Sequence, residues 1–156
     1  MRENNLVAQW SAWGPRLQSV LRIVAALLFI FPGTMKLFAF PIGMPPGVEL
    51  TPLLVVAGML EVFGGGLLLL GLFTRPVAFL LSGEMAVAYF MGHFPQGFWP
   101  IVNGGTDAIL YCFLWLYFAA AGAGPWSLDA KREKQQKHPT GVIHLRFRIE
   151  KQRRII

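Results

Sequence analysis

Five ionisable residues lie in or beside the long apolar stretches of this sequence: Lys36, Glu61, Glu84, His93 and Asp107. A charged side chain at the centre of a bilayer costs at least about 2.5 kcal/mol on insertion scales, so each of them requires a partner or a role. Side chains of these types donate and accept protons and hydrogen bonds. The chemistry that they predict is therefore a proton relay or a polar pocket for a small molecule.

The composition indicates that the elements carrying these residues lie in lipid. Hydrophobic residues make up 54% of the 156 residues and charged residues 14%, whereas a soluble domain has about 25% charged residues. Residues 23–128 contain six charged residues, too few to cover the surface of a soluble domain. The single cysteine, Cys112, excludes an intrachain disulfide and a thiolate cluster for a metal. We therefore expect a small polytopic membrane protein.

Four apolar segments are long enough to cross a membrane as helices: residues 17–40, 52–73, 76–94 and 106–123. At 1.5 Å per residue they span about 27–36 Å, which matches a hydrocarbon core of about 30 Å. They are apolar all round rather than alternating, so helices are favoured over strands. The predicted fold class is all-α, a polytopic four-helix membrane bundle over residues 17–130. A cytoplasmic N-terminal segment, 1–16, precedes it, and a basic cytoplasmic tail, 131–156, follows.

The basic residues lie on one side of this topology: Arg2, Arg16 and Arg22 at the N-terminal end, Arg75 in the second loop and nine in the tail. The first and third loops contain neither Lys nor Arg. The positive-inside rule then predicts that both termini are cytoplasmic in a bacterial-type inner membrane. A cleaved signal peptide is the competing interpretation of the first helix, and it is disfavoured because no small-x-small site follows the apolar run.

The basic charge belongs to the tail, because residues 131–156 have a net charge of +7 and residues 1–130 one of −1. We expect the tail to contact anionic lipid headgroups, and no nucleic-acid-binding module is visible. Apolar residues alternate with polar ones from Ile143 to Ile149, which predicts a short strand. That strand would pair with a soluble partner or a second copy; the alternative is a tail that is disordered or lies on the membrane.

Four motifs resemble those of the DoxX family in order and spacing: Phe31–Phe38 (FPGTMKLF), Ala57–Gly66 (AGMLEVFGGG) continued to Arg75, Gly83–Tyr89 (GEMAVAY) and Gly124–Asp129 (GPWSLD). The resemblance covers about residues 18–130, and the tail departs from it. It implies a small four-helix inner-membrane protein. Some members are linked to quinone-dependent sulfur oxidation, terminal oxidase assemblies or redox-defence complexes. The resemblance thus implies a membrane subunit or anchor of a quinone-linked redox assembly, an oxidoreductase subunit with other subunits as partners.

The spacing around the second loop predicts that Glu61 and Glu84 lie at similar depth. Glu61 lies about 13 residues before the loop and Glu84 about 10 after it, so their depths differ by about 5–6 Å. If the two face each other, they favour sharing one proton. We hypothesise that Lys36, His93 and Asp107 join them in one polar cavity that opens toward the external face.

Two interpretations of these five residues stay open. In the first, Lys36 and His93 donate hydrogen bonds to the carbonyl oxygens of a quinone or similar headgroup, and Glu61 and Glu84 relay protons. In the second, the residues hold helices together. Glu61 would then bind Lys36 or a helix backbone, and Asp107 would cap the fourth helix or hold Asn103.

Several other residues have expected roles that are structural. Seven-residue spacing places Gly58 with Gly65, and Gly64 with Gly71, on shared helix faces where another helix can approach closely. At the cytoplasmic interface lie Arg22, Arg75 and Asp129, and Arg22 is expected to reach the headgroups or to pair with Asp129.

No catalytic set and no metal-ligand spacing is visible in the sequence. A bis-histidine haem is not expected, because His138 and His144 lie in the tail, far from His93. A quinone is thus the one cofactor that the resemblance suggests, and enzymatic activity stays undecided. The alternatives are a small-molecule or proton-coupled transporter, which would need a homo-oligomer, and a structural membrane scaffold.

Overall fold

The structure, a computed structural model, describes residues 2–137, and no strand occurs in that part of the chain. Its helices are α1 (Arg2–Phe38), α2 (Pro52–Leu70), α3 (Thr74–Gln96), α4 (Pro100–Asn103), α5 (Thr106–Ala121) and α6 (Leu128–Lys137). The all-α prediction is confirmed for these residues. The strand predicted for Ile143–Ile149 lies outside them.

Three of the helices are long and apolar enough to cross a membrane: Ala8–Phe38 within α1, then α2 and α3. The fourth apolar helix, α5, has 16 residues and is therefore about 24 Å long. Outward-facing aromatic side chains, such as Phe63, Phe79 and Phe113, are about two-thirds exposed. A surface of this kind matches lipid as the surrounding solvent.

All four of these helices contribute to one core. The fully buried residues include Phe29 of α1, Leu68 of α2, Leu81 of α3 and Trp115 of α5. The ring of Phe29 meets the Trp115 ring edge to face, with 5.2 Å between centroids and 82° between planes. Pairs of α1 with α2 and of α3 with α5 make the most extensive contacts.

Short glycine-lined contacts set how closely α2 approaches its neighbours. A Cβ built on Gly65 would lie 2.8 Å from Ile30 of α1, and one on Gly58 would lie 3.0 Å from Leu37. Gly64 faces the other way, because its Cβ would lie 2.9 Å from Leu81 of α3. Gly58 and Gly65 thus both face α1, as their spacing predicts.

Gly71 does not share the packing face of Gly64, which corrects the pairing inferred from spacing. It lies just beyond the last residue of α2 and adopts the left-handed conformation, with φ 65°. Its amide donates to Leu68 O over 3.0 Å, so it closes the helix as a glycine C-cap. A seven-residue spacing predicts a shared face only while the helix continues.

The helices α2 and α3 each contain one π-helical turn, at Leu60–Gly64 and at Tyr89–His93. A π turn inserts one extra residue, so the face that the later residues present is rotated relative to a regular helix. The two turns contain Glu61 and His93. Turns of this kind are frequent at functional sites, so the space between α2 and α3 is a candidate site.

Among the glycines within the long helices, Gly33 of α1 should be the least tolerant of a side chain. A Cβ there would lie 2.8 Å from Glu61 Cβ and 2.9 Å from the backbone oxygen of Gly58, which cannot move without shifting α2. We expect Gly33→Ala to lower the free energy of unfolding by about 1–3 kcal/mol, measured by detergent-induced unfolding followed by circular dichroism.

The matched control is Gly66→Ala in α2, where a Cβ would meet nothing within 4 Å. Alanine at an open helical position is neutral or stabilising by up to about 1 kcal/mol. Equal stability of the two variants would contradict the close α1–α2 contact.

Candidate functional site

A cavity of about 760 Å³ lies between α2 and α3 and is closed on one side by the end of α1. Its ionisable lining residues are Lys36, Glu61, Glu84 and His93, and the other residues that line it are aliphatic, aromatic or glycine. Four of the five residues singled out in the sequence thus meet around one apolar cavity. Their role in binding or proton transfer stays a prediction.

Asp107 is not among the residues that line this cavity. It lies exposed in the first turn of α5, and α5 packs on another face of α3, where Ser82 Oγ donates to Cys112 O over 2.8 Å. Within residues 2–137, Asp107 neither caps α5 nor bonds Asn103. The expected five-residue cavity is therefore corrected to four.

The amine of Lys36 is bound by Glu61. Its Nζ lies 2.6 Å from Oε1 and 2.5 Å from Oε2 of Glu61, and the two side chains are 13% and 4% exposed. The pair joins α1 to α2 beside the close contact at Gly33. This pair is one of the two alternatives that the sequence left open for Glu61, and no hydrogen bond joins Glu61 to Glu84 in the described residues.

Glu84 has the opposite environment. Both of its carboxyl oxygens are buried, and neither has a hydrogen-bond partner in the described part of the chain. Burying an unpaired carboxylate away from water has a high free-energy cost, so such a group keeps its proton or requires a partner.

His93 is held by its ring nitrogen Nδ1, which lies 3.0 Å from Asn103 O. A carbonyl oxygen only accepts hydrogen bonds, so Nδ1 carries the hydrogen, and Nε2 of the neutral ring is an acceptor. Asn103 is itself fixed, because its Nδ2 donates to Gly97 O over 2.7 Å and its Oδ1 accepts from Gly105 N over 2.8 Å. In the structure Lys36 donates to Glu61 and His93 Nδ1 bonds Asn103 O, and their expected role as donors to a ligand carbonyl stays a prediction.

Arg22 is fully buried and does not reach toward headgroups. Its guanidinium donates to Leu68 O and, over 2.8 Å, to Leu69 O at the end of α2. It also donates to Ala123 O over 2.9 Å and to Trp126 O over 2.6 Å. The last carbonyls of a helix lack partners within it, and the fork of five N–H donors satisfies several at once.

Asp129 does not pair with Arg22 either, which corrects the second expectation for that arginine. Its two carboxylate oxygens accept from Phe73 N over 2.9 Å and from Thr74 N over 2.8 Å, at the start of α3. Arg75 donates to the carbonyls of Ala119 and Ala120 at the end of α5. The three residues expected at one interface do lie at one end of the molecule, where each satisfies backbone groups.

Removing the Arg22 guanidinium should leave several buried carbonyls unpaired. We expect Arg22→Gln to lower the free energy of unfolding by about 3 kcal/mol or more, measured by denaturation in detergent. Arg16→Gln is the control, because Arg16 is exposed and stacks on the ring of Trp13 at 5.1 Å. Similar losses from both substitutions would contradict a buried clamp.

The ion pair can be tested with a double-mutant cycle. Lys36→Met and Glu61→Gln should each destabilise the protein by about 3 kcal/mol, because each leaves a partner unpaired in apolar surroundings. The double variant should lose less than the sum of the single losses, because neither charge then remains. Strictly additive losses in equilibrium unfolding would show that the two side chains do not interact.

Comparison with known proteins identifies the family. The DoxX family profile matches residues 17–94, half of the chain, and this segment includes all four ionisable residues of the cavity. An uncharacterized protein of Haemophilus influenzae is 51% identical over 122 residues, which cover 75% of this chain and 91% of that protein. An uncharacterized membrane protein of Mycobacterium tuberculosis is 28% identical over 143 residues, covering 80% and 86%. No solved structure matches significantly. This chain belongs to the DoxX family of membrane proteins.

Proposed function

We propose that this protein is a membrane subunit of a redox assembly and binds a quinone-type molecule in the cavity between α2 and α3. It crosses a bacterial inner membrane with α1, α2, α3 and α5, and both termini are cytoplasmic. The observation that carries this proposal is the buried carboxyl group of Glu84, which has no partner in the described structure.

The shape and walls of the cavity suit a hydrophobic molecule with a small polar head. Its volume of about 760 Å³ falls in the range of about 300–1,000 Å³ that is typical of small-molecule sites. Exposed apolar residues such as Val56, Leu80 and Met91 line it, so that a ligand can enter sideways from lipid.

Glu84 is the group best placed to bind the head. With its proton retained, the carboxyl group offers an O–H donor to a carbonyl oxygen of the ligand. Lys36 and Glu61 stay bound to each other, so they supply a fixed dipole and not a direct contact. A bound quinone supplies the chemistry of transferring two electrons together with protons.

His93 is placed to exchange protons at the other end of the cavity. It lies nine residues after Glu84 on the same helix, which corresponds to about 13 Å along the axis. Its free Nε2 accepts a proton, while Nδ1 stays on the carbonyl of Asn103. Glu84 and His93 are therefore too far apart to bind one ligand head together, and they are suited to be successive positions of a proton pathway.

The same carboxyl group also favours a second candidate, a transporter for lipophilic amines coupled to protons. In that case Glu84 acts as an anion, and it exchanges its proton for the positive charge of the substrate. A scaffold without a ligand is the third candidate, because the Lys36–Glu61 pair already joins two helices. The three candidates differ in what they require of Glu84.

Two substitutions of Glu84 separate these candidates in ligand-protection experiments on the purified protein. Gln keeps a hydrogen-bond donor but cannot ionise, and Leu removes all polar groups. We expect decylubiquinone to stabilise the wild type and Glu84→Gln by up to about 2.7 kcal/mol at one hundred times its Kd, and to leave Glu84→Leu unchanged. Glu49→Gln is the control, because Glu49 is exposed and lies outside the cavity.

Each other result of this experiment rejects quinone binding through Glu84. Protection by tetraphenylphosphonium that is lost in Glu84→Gln would support the amine transporter, since that variant has no negative charge. Absence of protection by either compound would support the scaffold.

For the redox assembly, purification in mild detergent should co-isolate an oxidoreductase subunit, and recovery of the chain alone would contradict it.

A further inference from the structure

A second cavity, of about 670 Å³, lies at the opposite end of α3 from His93. It is formed where α2 turns into α3, where α5 ends and where α6 begins. Four basic residues and two acidic residues line it: Arg75, Arg132, Lys134, Lys137, Asp129 and Glu133. It shares none of its lining residues with the cavity between α2 and α3, so it is independent of the proposed function.

The basic residues of this cavity outnumber the acidic ones, and one of its two acidic groups is already bound within the protein. The carboxylate of Asp129 is bound to the amides of Phe73 and Thr74. The guanidinium of Arg132 lies over the ring of Phe73, 5.0 Å from its centroid. In the described structure Arg75 donates to the end of α5 through Nη1 alone. Most of the cationic groups are thus free to bind an anion.

Thr74 gives a second, independent sign of a ligand. Thr74 is 1% exposed and lines the basic cavity. Its hydroxyl oxygen has no hydrogen-bond partner in the described part of the chain. A buried hydroxyl normally has a partner. Phosphate oxygens accept hydrogen bonds from hydroxyl, guanidinium and ammonium groups alike.

The position of the basic cavity indicates where such a ligand comes from. Two apolar helices end at it, α2 at Leu70 and α5 at Ala121, and the polar helix α6 begins there. Phe73 and Trp126, each 54% exposed, mark the level at which aromatic side chains meet lipid headgroups. From this level toward the middle of α3, the exposed apolar surface of the helix can accommodate acyl chains.

We propose that the basic cavity is a binding site for the phosphate group of an anionic phospholipid. Arg75, Arg132 and Lys134 bind the phosphate oxygens, and the acyl chains lie along α3. This site differs from a general attraction between basic residues and an anionic membrane, because only residues that line the cavity contribute to it.

Lys131 provides a matched control on the same helix. It is exposed in α6, beside Arg132, but does not line the basic cavity. Arg132→Gln, Lys134→Gln and Lys131→Gln each remove one charge from an exposed position of α6, so that folding should be preserved. Far-UV circular dichroism and melting temperature of each variant check this.

The experiment is lipid retention by the full-length protein in native mass spectrometry, with phosphatidylglycerol and phosphatidylcholine in competition. Each basic residue near an anionic surface contributes about a fivefold change in binding, or about 1 kcal/mol. We expect Arg132→Gln and Lys134→Gln to lower the preference for phosphatidylglycerol about fivefold each, and Lys131→Gln to change it less than twofold.

Two results would overturn the proposal. An equal loss in Lys131→Gln would mean that the tail attracts anionic lipid through its overall charge, without a site. Displacement of phosphatidylglycerol by millimolar inorganic phosphate or glycerol 3-phosphate would mean that the ligand is a soluble phosphate compound. Retention of phosphatidylglycerol in the presence of both soluble anions supports the lipid.

Discussion

The structure depends on the requirement that the backbone polar groups left unpaired at helix ends find partners within the protein. Arg22 meets this requirement for the end of α2 and for the loop between α5 and α6. Asp129 meets it for the start of α3, and Arg75 for the end of α5. Charged side chains thus act here as caps of helices. They also fix the relative positions of the helix ends, since each donor or acceptor reaches a different segment of the chain.

Because buried polar side chains generally meet the same requirement, the few exceptions are informative. Among the described residues, buried side-chain polar atoms without a partner occur in Thr74, Glu84 and Trp115. Trp115 lies in the core, where its ring contacts aromatic neighbours, and it lines neither of the two cavities described above. Thr74 and Glu84 each line a cavity. An unsatisfied group beside accessible space is where a ligand gains most from binding, because it replaces a missing hydrogen bond rather than competing with an existing one. Both proposals rest on this coincidence.

The sequence predicts the apolar helices and most of the cavity residues because those predictions need only hydrophobic length and approximate depth. Partner choice is different. The sequence left open whether Glu61 faces Glu84 or binds Lys36, and the structure shows the second, because helix rotation decides which neighbour Glu61 meets. That rotation depends on Gly33 and on the π turn at Leu60–Gly64, neither of which the regular period of 3.6 residues reveals. The role of His93 depends on which of its ring nitrogens meets the carbonyl of Asn103 at the end of α4, and spacing carries no information on that.

The shape of the α2–α3 pair explains why its cavity lies where it does. Near the turn the two helices are fixed, α2 by Arg22 and α3 by Asp129, and a little further on Gly64 contacts Leu81 closely. Beyond that contact no glycine of α2 faces α3, since Gly58 packs on α1 instead. Fewer contacts join α2 and α3 beyond this point, and Glu84 follows Leu81 by three residues in α3. In the proposed function, the ligand head lies beside Glu84 and its hydrophobic part lies against the exposed apolar residues of the cavity.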